Sequence, residues 1–141
     1  MFKKKFKKSK PSLFKSFYYA FEGIRVNILN ERNLCIHFMV MLLVIALGFI
    51  LNISKTEWLI CILLFGFVIT LELMNTAIET AIDICMPEIN PKAKLAKDTS
   101  AGAVLVVAIV TVVIGIMIFG PKLLEIWRNL WLIKQFLEHM I

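Results

Sequence analysis

A long apolar segment occupies residues 58–86, with the sequence WLICILLFGFVITLELMNTAIETAIDICM. Four polar residues interrupt its second half: Glu72, Asn75, Glu79 and Asp83. In an α-helix these positions fall within about 80° of one another around the axis, so that one face carries three acids and an amide. An ionisable side chain at membrane depth is energetically costly, and its presence there indicates a functional site.

The composition of the whole chain indicates a membrane protein. Of the 141 residues 60% are hydrophobic, and the mean hydropathy is +0.82. This is more apolar surface than a soluble core of this length can bury. Apolar stretches at about 34–51, 58–86 and 101–119 are long enough to cross a bilayer. We therefore predict an all-α membrane protein with three transmembrane helices in one domain, residues 12–120.

The segment before the first span has two parts. Residues 1–11 are predicted to be a basic, disordered lead. From Leu13 to about Asn30 the apolar residues follow helical spacing, which predicts an amphipathic helix lying on the cytoplasmic surface of the membrane.

The third span has predicted boundaries at both ends. Asp98, Thr99 and Ser100 precede its apolar run and are candidate helix caps. After Gly120-Pro121, the segment 121–141 carries two tryptophans among alternating apolar and charged residues, which favours a separate C-terminal interfacial helix.

The lysines predict the orientation of the chain in the membrane. Seven of them crowd the first fifteen residues, and Lys92, Lys94 and Lys97 lie between the second and third spans. The first loop, residues 52–57, carries only Lys55. By the positive-inside rule, the N-terminus and the second loop are cytoplasmic, while the first loop and the C-terminus are outside.

This topology gathers polar side chains at the cytoplasmic end of the spans. Carboxylates there attract Mg²⁺, which proteins commonly share between one or two carboxylates and substrate phosphates. A lysine neutralises phosphate charge, and a desolvated glutamate accepts a proton from an alcohol. Such groups together suit phosphoryl transfer. The residues concerned are Glu31, Glu79, Asp83, Lys97 and Asp98, with Asn75 and Glu72 further into the membrane.

The residues alone leave other interpretations open. Acids within a membrane also suit a proton relay. The residues are therefore compatible with a small proton or ion conductor as well as with a metal-dependent enzyme. A purely structural stripe, paired with lysines of a neighbouring subunit, is a third alternative. Residues 58–71 carry no acid or base that would continue an ion path through the outer half of the span, which argues against the conductor. His37, inside the first span, is interpreted as a structural histidine.

Three motifs in the chain resemble signatures of the prokaryotic diacylglycerol kinase family, the small integral-membrane lipid kinases. They are ELMNTAIETAID at 72–83, AKDTSAGAVL at 96–105 and NERN at 30–33. The resemblance covers roughly residues 12–120. The Ile36-His37 pair after NERN and the Pro87-Glu88 loop are similar to the Gram-positive branch of the family, whose members mainly phosphorylate undecaprenol.

The resemblance implies an ATP- and Mg²⁺-dependent lipid kinase of the bacterial cytoplasmic membrane. It implies a homotrimer whose active sites are shared between subunits and face the cytoplasm. Undecaprenol is the expected substrate, and diacylglycerol is the alternative.

The resemblance also implies roles for individual residues. Glu72 is the general base that activates the lipid hydroxyl, and Glu31 and Glu79 are the Mg²⁺ ligands. Asp83 is interpreted as the structural partner of a lysine. The residues implied to bind the nucleotide and its metal are Tyr19, Glu31, Asn75, Glu79, Glu88, Lys97 and Asp98.

Overall fold

A computed structural model describes residues 12–140, and the predicted lead 1–11 lies outside the described residues. Within them the chain forms four α-helices: α1 (Leu13–Asn30), α2 (Arg32–Ile50), α3 (Lys55–Cys85) and α4 (Pro91–His139). Helices α2, α3 and α4 are each long and apolar enough to cross a membrane. The predicted all-α membrane fold, with an additional N-terminal helix, is confirmed.

The turn between α1 and α2 consists of a single residue, Glu31. Its backbone is extended (φ −97°, ψ 112°), and its N–H still donates to the carbonyl of Asn27 at 2.8 Å. Its carbonyl in turn accepts from the N–H of Cys35 at 3.1 Å. Because hydrogen bonds of both helices are anchored on this one residue, Glu31 is held at the corner where α1 meets the first span.

The connection between α2 and α3 is a tight turn followed by a capping box. Asn52 adopts a left-handed backbone conformation (φ 46°), which asparagine tolerates better than most residues. The Ser54 N–H donates to Glu57 Oε2 at 2.6 Å, and the Glu57 N–H donates to Ser54 Oγ at 3.3 Å. These two bonds satisfy N–H groups that the start of a helix leaves free.

A small apolar core fixes the three spans together at this end of the bundle. Its buried members are Ile53, Cys61, Ile118 and Phe119. Gly48 allows α2 to approach α3 closely here, because a Cβ on this residue would lie 2.7 Å from Cη2 of Trp58. The Trp58 ring also packs on Phe49, with the ring centroids 5.0 Å apart.

We expect Gly48→Ala to lower the free energy of unfolding by about 1–3 kcal/mol, the usual cost of overpacking. The rigid indole of Trp58 would have to move, together with its contact to Phe49. Unfolding in mixed detergent, followed by tryptophan fluorescence, measures this change. Gly66→Ala is the matched control, since a Cβ at that helical glycine meets no atom within 4 Å. Equal stabilities of the two variants would contradict the packing argument.

Helix α4 begins earlier than predicted. The side chain of Asn90 caps it by accepting from the N–H groups of Lys92 (2.8 Å) and Ala93 (3.4 Å), and Pro91 occupies the first turn. Proline is well suited to that position because its missing N–H has no partner there in any case. The prediction of caps at Asp98, Thr99 and Ser100 is therefore wrong, since all three lie inside the helix.

Helix α4 also continues past its predicted end. Pro121 lies within it, and the helix extends to His139, so the segment 121–141 is not separated from the third span by a break. Pro121 cannot donate a hydrogen bond to the carbonyl four residues earlier, and its ring crowds that carbonyl, but the helix continues through it. The position of this segment at the membrane interface stays a prediction.

Candidate active site

Two buried polar side chains lie in the middle of the spans. Glu72 is 4% exposed and Asn75 is 9% exposed, both on the face of α3 that packs between α2 and α4. They line a cleft of about 290 Å³. Its other walls come from α2 and α4, through Asn33, Ile36, His37, Ala101, Val104, Leu105 and Ala108. Part of the acidic stripe predicted from the sequence thus faces a cavity inside the bundle.

Glu72 is paired with a histidine across the α2–α3 contact. His37 Nε2 lies 3.1 Å from Glu72 Oε1, and both side chains are largely shielded from solvent. A buried carboxylate needs such a partner, because an unpaired buried charge is strongly unfavourable. The sequence interpretation of His37 as merely structural missed this contact. A histidine within the first span and a glutamate within the second were the available signal.

Asn75 connects α4 to the next acid of the stripe. Ser100 Oγ lies 2.6 Å from Asn75 Oδ1 and 2.9 Å from the Lys97 carbonyl oxygen, and its single hydrogen is shared between these two acceptors. Asn75 Nδ2 donates to Glu79 Oε1 at 3.0 Å. Each end of the amide therefore has a partner that fixes its orientation, and one oxygen of Glu79 remains for another ligand. Ser100 was predicted as a cap and its role beside Asn75 was missed, although it lies within the AKDTSAGAVL motif, two residues after Asp98.

We expect Ser100→Ala to weaken nucleotide use by roughly tenfold, because a buried acceptor left without its donor costs about 1–3 kcal/mol. The Asn75 amide would then be free to turn away from Glu79. Initial rates at varied ATP measure the effect as a raised KM. Thr99→Ala is the matched control, since its exposed hydroxyl donates to the Leu95 carbonyl of its own helix. If both variants behave alike, Ser100 has no part in holding Asn75.

A second cleft, of about 340 Å³, surrounds the loop between α3 and α4. Two ion pairs lie at it: Lys97 with Asp83, and Lys94 with Asp98. The first pair agrees with the interpretation of Asp83 as the partner of a lysine. Of the residues predicted to bind the nucleotide, Glu88, Lys97 and Asp98 line this cleft, whereas Asn75 lines the first one.

Three predicted residues line neither cleft. Glu79 is bonded to Asn75, as described above, and the other two lie on the N-terminal side. Tyr19 is on α1 and is 60% exposed, and Glu31 is the half-buried corner between α1 and α2. In the part of the chain that the structure describes, no group of three or more His, Cys, Asp or Glu side chains is arranged to hold a metal ion. Within this chain, neither Tyr19 nor Glu31 lines the cleft that contains Glu72 and Asn75.

The donor set nevertheless fits Mg²⁺. Mg²⁺ prefers hard oxygen ligands, and it is usually bound by one or two carboxylates together with substrate phosphates rather than by an all-protein cage. Glu79 offers a half-buried carboxylate with one oxygen fixed by Asn75. A three-ligand cluster within one chain is thus not required.

Comparison of the sequence with known proteins identifies its family. Residues 18–119 match the family model described as prokaryotic diacylglycerol kinase. The undecaprenol kinase of Bacillus subtilis (strain 168) is 44% identical over 110 residues, 78% of this chain and 89% of that protein. A diacylglycerol kinase of Synechocystis sp. is 35% identical over 82% of this chain and 67% of its own length. A diacylglycerol kinase of Helicobacter pylori (strain J99) is 30% identical over 83% and 88%.

These matches decide between the hypotheses that the residues left open. The matched range contains α2, α3 and the start of α4, with both clefts and their polar residues. The lipid kinase is confirmed over the ion conductor and the purely structural stripe. The chain belongs to the prokaryotic diacylglycerol kinase family of multi-pass membrane lipid kinases.

Proposed function

We propose that this lipid kinase transfers the γ-phosphoryl group of ATP to the hydroxyl of undecaprenol, in an Mg²⁺-dependent reaction at the cytoplasmic leaflet. The observation that carries the proposal is the buried Glu72 carboxylate in a cleft between three apolar spans, where the hydroxyl of a membrane lipid can reach it. Support for undecaprenol comes from the 44% identity to a protein named undecaprenol kinase.

An apolar groove leads away from the cleft. It begins at His37 and follows α2, α3 and α4 towards the opposite end of the bundle, with a volume of about 70 Å³. Its walls are almost entirely apolar, among them Val44, Phe65 and Ile118. In the proposal, the few carbon atoms next to the lipid hydroxyl lie in this groove and hold the hydroxyl close to Glu72, while the rest of the tail lies in the bilayer.

Glu72 acts in this proposal as the general base. Its carboxylate accepts the hydroxyl proton while the alcohol oxygen forms a bond to the γ-phosphorus, and the bond from that phosphorus to the β–γ bridging oxygen breaks to release ADP. Exclusion of water from the cleft favours transfer to the lipid over hydrolysis of ATP.

The remaining polar residues hold the nucleotide and its metal in the proposal. Glu31 and Glu79 would bind Mg²⁺, which neutralises charge on the phosphates when it is bound. Lys97 would leave its ion pair with Asp83 and contact a phosphate of ATP. The nucleotide itself would be contacted by the other proposed binding residues, which are Tyr19, Asn75, Glu88 and Asp98.

We propose further that the enzyme is a homotrimer with active sites shared between subunits. The support is that Tyr19 and Glu31 line neither of the two clefts of their own chain, so they remain for the site of a neighbouring subunit. Native mass spectrometry of the protein in detergent tests this assembly. Trimers are expected, and an active protein that is entirely monomeric would contradict it.

The exposed lysines Lys92 and Lys94 support a cytoplasmic position for the loop between α3 and α4, and hence for the second cleft. Glu88→Cys, in a background where Cys35, Cys61 and Cys85 are replaced by alanine, should react with an impermeant thiol reagent in inside-out vesicles and not in intact cells. The reverse labelling pattern would contradict this orientation.

Transfer of labelled phosphate from ATP to a lipid in mixed micelles tests the proposed function directly. With Mg²⁺ present, purified protein is expected to produce undecaprenyl phosphate, and chelation of the metal is expected to abolish the product. Diacylglycerol is the second candidate substrate, because relatives at 35% and 30% identity are named diacylglycerol kinases. If diacylglycerol alone is phosphorylated, diacylglycerol replaces undecaprenol as the proposed substrate.

A further inference from the structure

His37 lies at the junction of the two cavities of the bundle. It belongs to α2 and lines both the polar cleft that contains Glu72 and the apolar groove that leads away from it. Its side chain is 25% exposed, against 5% for that of Glu72, so the ring separates the carboxylate from the more open part of the groove. A lipid that enters through the groove meets His37 before its hydroxyl meets Glu72.

The contact between the two side chains constrains the carboxylate. His37 Nε2 is 3.1 Å from Glu72 Oε1, a hydrogen-bonding distance. In the described residues, the side-chain hydrogen bond at Glu72 comes from Thr76 Oγ1 and goes to the backbone carbonyl, at 3.1 Å, so it does not orient the carboxylate. Because the contact of His37 is with Oε1, Oε2 is the oxygen left to a substrate.

We propose that His37 is a positioning residue of the kinase: it donates a hydrogen bond from Nε2 to Glu72 Oε1 and thereby presents Oε2 to the lipid hydroxyl. The inference rests on the proposed role of Glu72 as the general base. Nδ1 takes no part in it, and the ring transfers no proton. The effect of His37 is confined to the orientation of Glu72, because its contact is with that residue and not with Asn75 or Glu79.

The proposal predicts a specific kinetic signature. His37→Phe keeps the ring but removes the donor, and it should lower kcat for lipid phosphorylation roughly 10- to 100-fold, the value of a hydrogen bond to a charged group. The KM for ATP should be unchanged, since no residue proposed to bind the nucleotide loses a contact. His37→Gln retains an N–H donor on a flexible chain and should recover most of the lost kcat.

A double-mutant cycle completes the test. The cycle compares the unaltered purified enzyme with three variants: His37→Phe, Glu72→Gln and the two changes combined. If His37 acts through Glu72, the combined variant should be no slower than Glu72→Gln alone. A purely structural histidine would instead multiply the two losses, and it would lower thermal stability in parallel with activity.

Three results would overturn the inference: full activity of His37→Phe, no recovery by His37→Gln, or multiplied losses in the combined variant. Should His37→Phe not be recovered as monodisperse protein, His37→Leu replaces it, because leucine also lacks a donor. Failure of the proposed base role of Glu72 would look different, since Glu72→Gln would then remain active whatever the residue at position 37. Failure of the proposed function would appear in the unaltered enzyme, as no transfer of phosphate to undecaprenol.

Discussion

Glu72→Gln is expected to lower kcat for lipid phosphorylation by about 10²- to 10⁴-fold, the usual contribution of a positioned general base. Glutamine has nearly the same shape as glutamate, and its amide oxygen can still accept from His37 Nε2, so the fold around the cleft should persist. It cannot accept the hydroxyl proton at neutral pH. The initial rate of labelled phosphate transfer to lipid in mixed micelles measures the loss.

The control for this experiment is Glu125→Gln. Glu125 is an exposed residue of α4 in the segment beyond Pro121, far along the helix from both clefts that hold the proposed site residues. Its replacement should leave the rate unchanged. Full activity of Glu72→Gln towards every lipid alcohol tested would mean that the base is another residue.

Glu79→Gln is expected to produce the second largest effect, a loss of roughly 10²- to 10³-fold at ordinary Mg²⁺ concentration, because metal stabilisation of phosphate charge contributes several kcal/mol. The amide oxygen of glutamine can still accept the bond from Asn75 Nδ2. What is lost is the negative charge of a proposed Mg²⁺ ligand. Activity should therefore recover in part when Mg²⁺ is raised.

Titration of the rate with Mg²⁺ measures this effect as a shift of the half-saturating concentration. The same titration on Thr80→Ser serves as the control, because the Thr80 hydroxyl bonds to the Thr76 carbonyl within α3 and serine can keep that bond. An unchanged Mg²⁺ dependence of Glu79→Gln would contradict the assignment of Glu79 as a metal ligand.

Much of the fold could be predicted because hydrophobic patterning decides where membrane helices lie. The bounds of α1, Leu13–Asn30, coincide with the predicted amphipathic segment. The spans α2 and α3 also lie where apolar stretches were found, with ends that differ by a few residues. Helix ends of this kind depend on the local chemistry of the caps rather than on the apolar pattern.

Both ends of α4 show where such reasoning fails. At its start, Asn90 and Pro91 form a better cap than the later polar residues, because asparagine reaches two free N–H groups and proline needs none. At Gly120-Pro121 the apolar helix continues, because losing one hydrogen bond costs less than exposing several backbone groups at the edge of an apolar phase.

The candidate site was predictable in its residue types but not in its contacts. The spacing of Glu72, Asn75 and Glu79 put them on one face of a helix, and the structure places two of them at a common cleft. The partners His37 and Ser100 come from other helices, and only the register of α2 and α4 against α3 brings them into contact. A single sequence carries no direct signal of that register.

Side-by-side turnover of the two lipids decides which of them is the substrate of this kinase. Purified protein is given undecaprenol and diacylglycerol at equal mole fractions in the same micelles, with ATP and Mg²⁺, and kcat/KM is measured for each lipid. We expect a clear preference for undecaprenol, and we expect Glu72→Gln to abolish the transfer. A preference for diacylglycerol, or transfer to neither lipid, would show that undecaprenol is not the substrate.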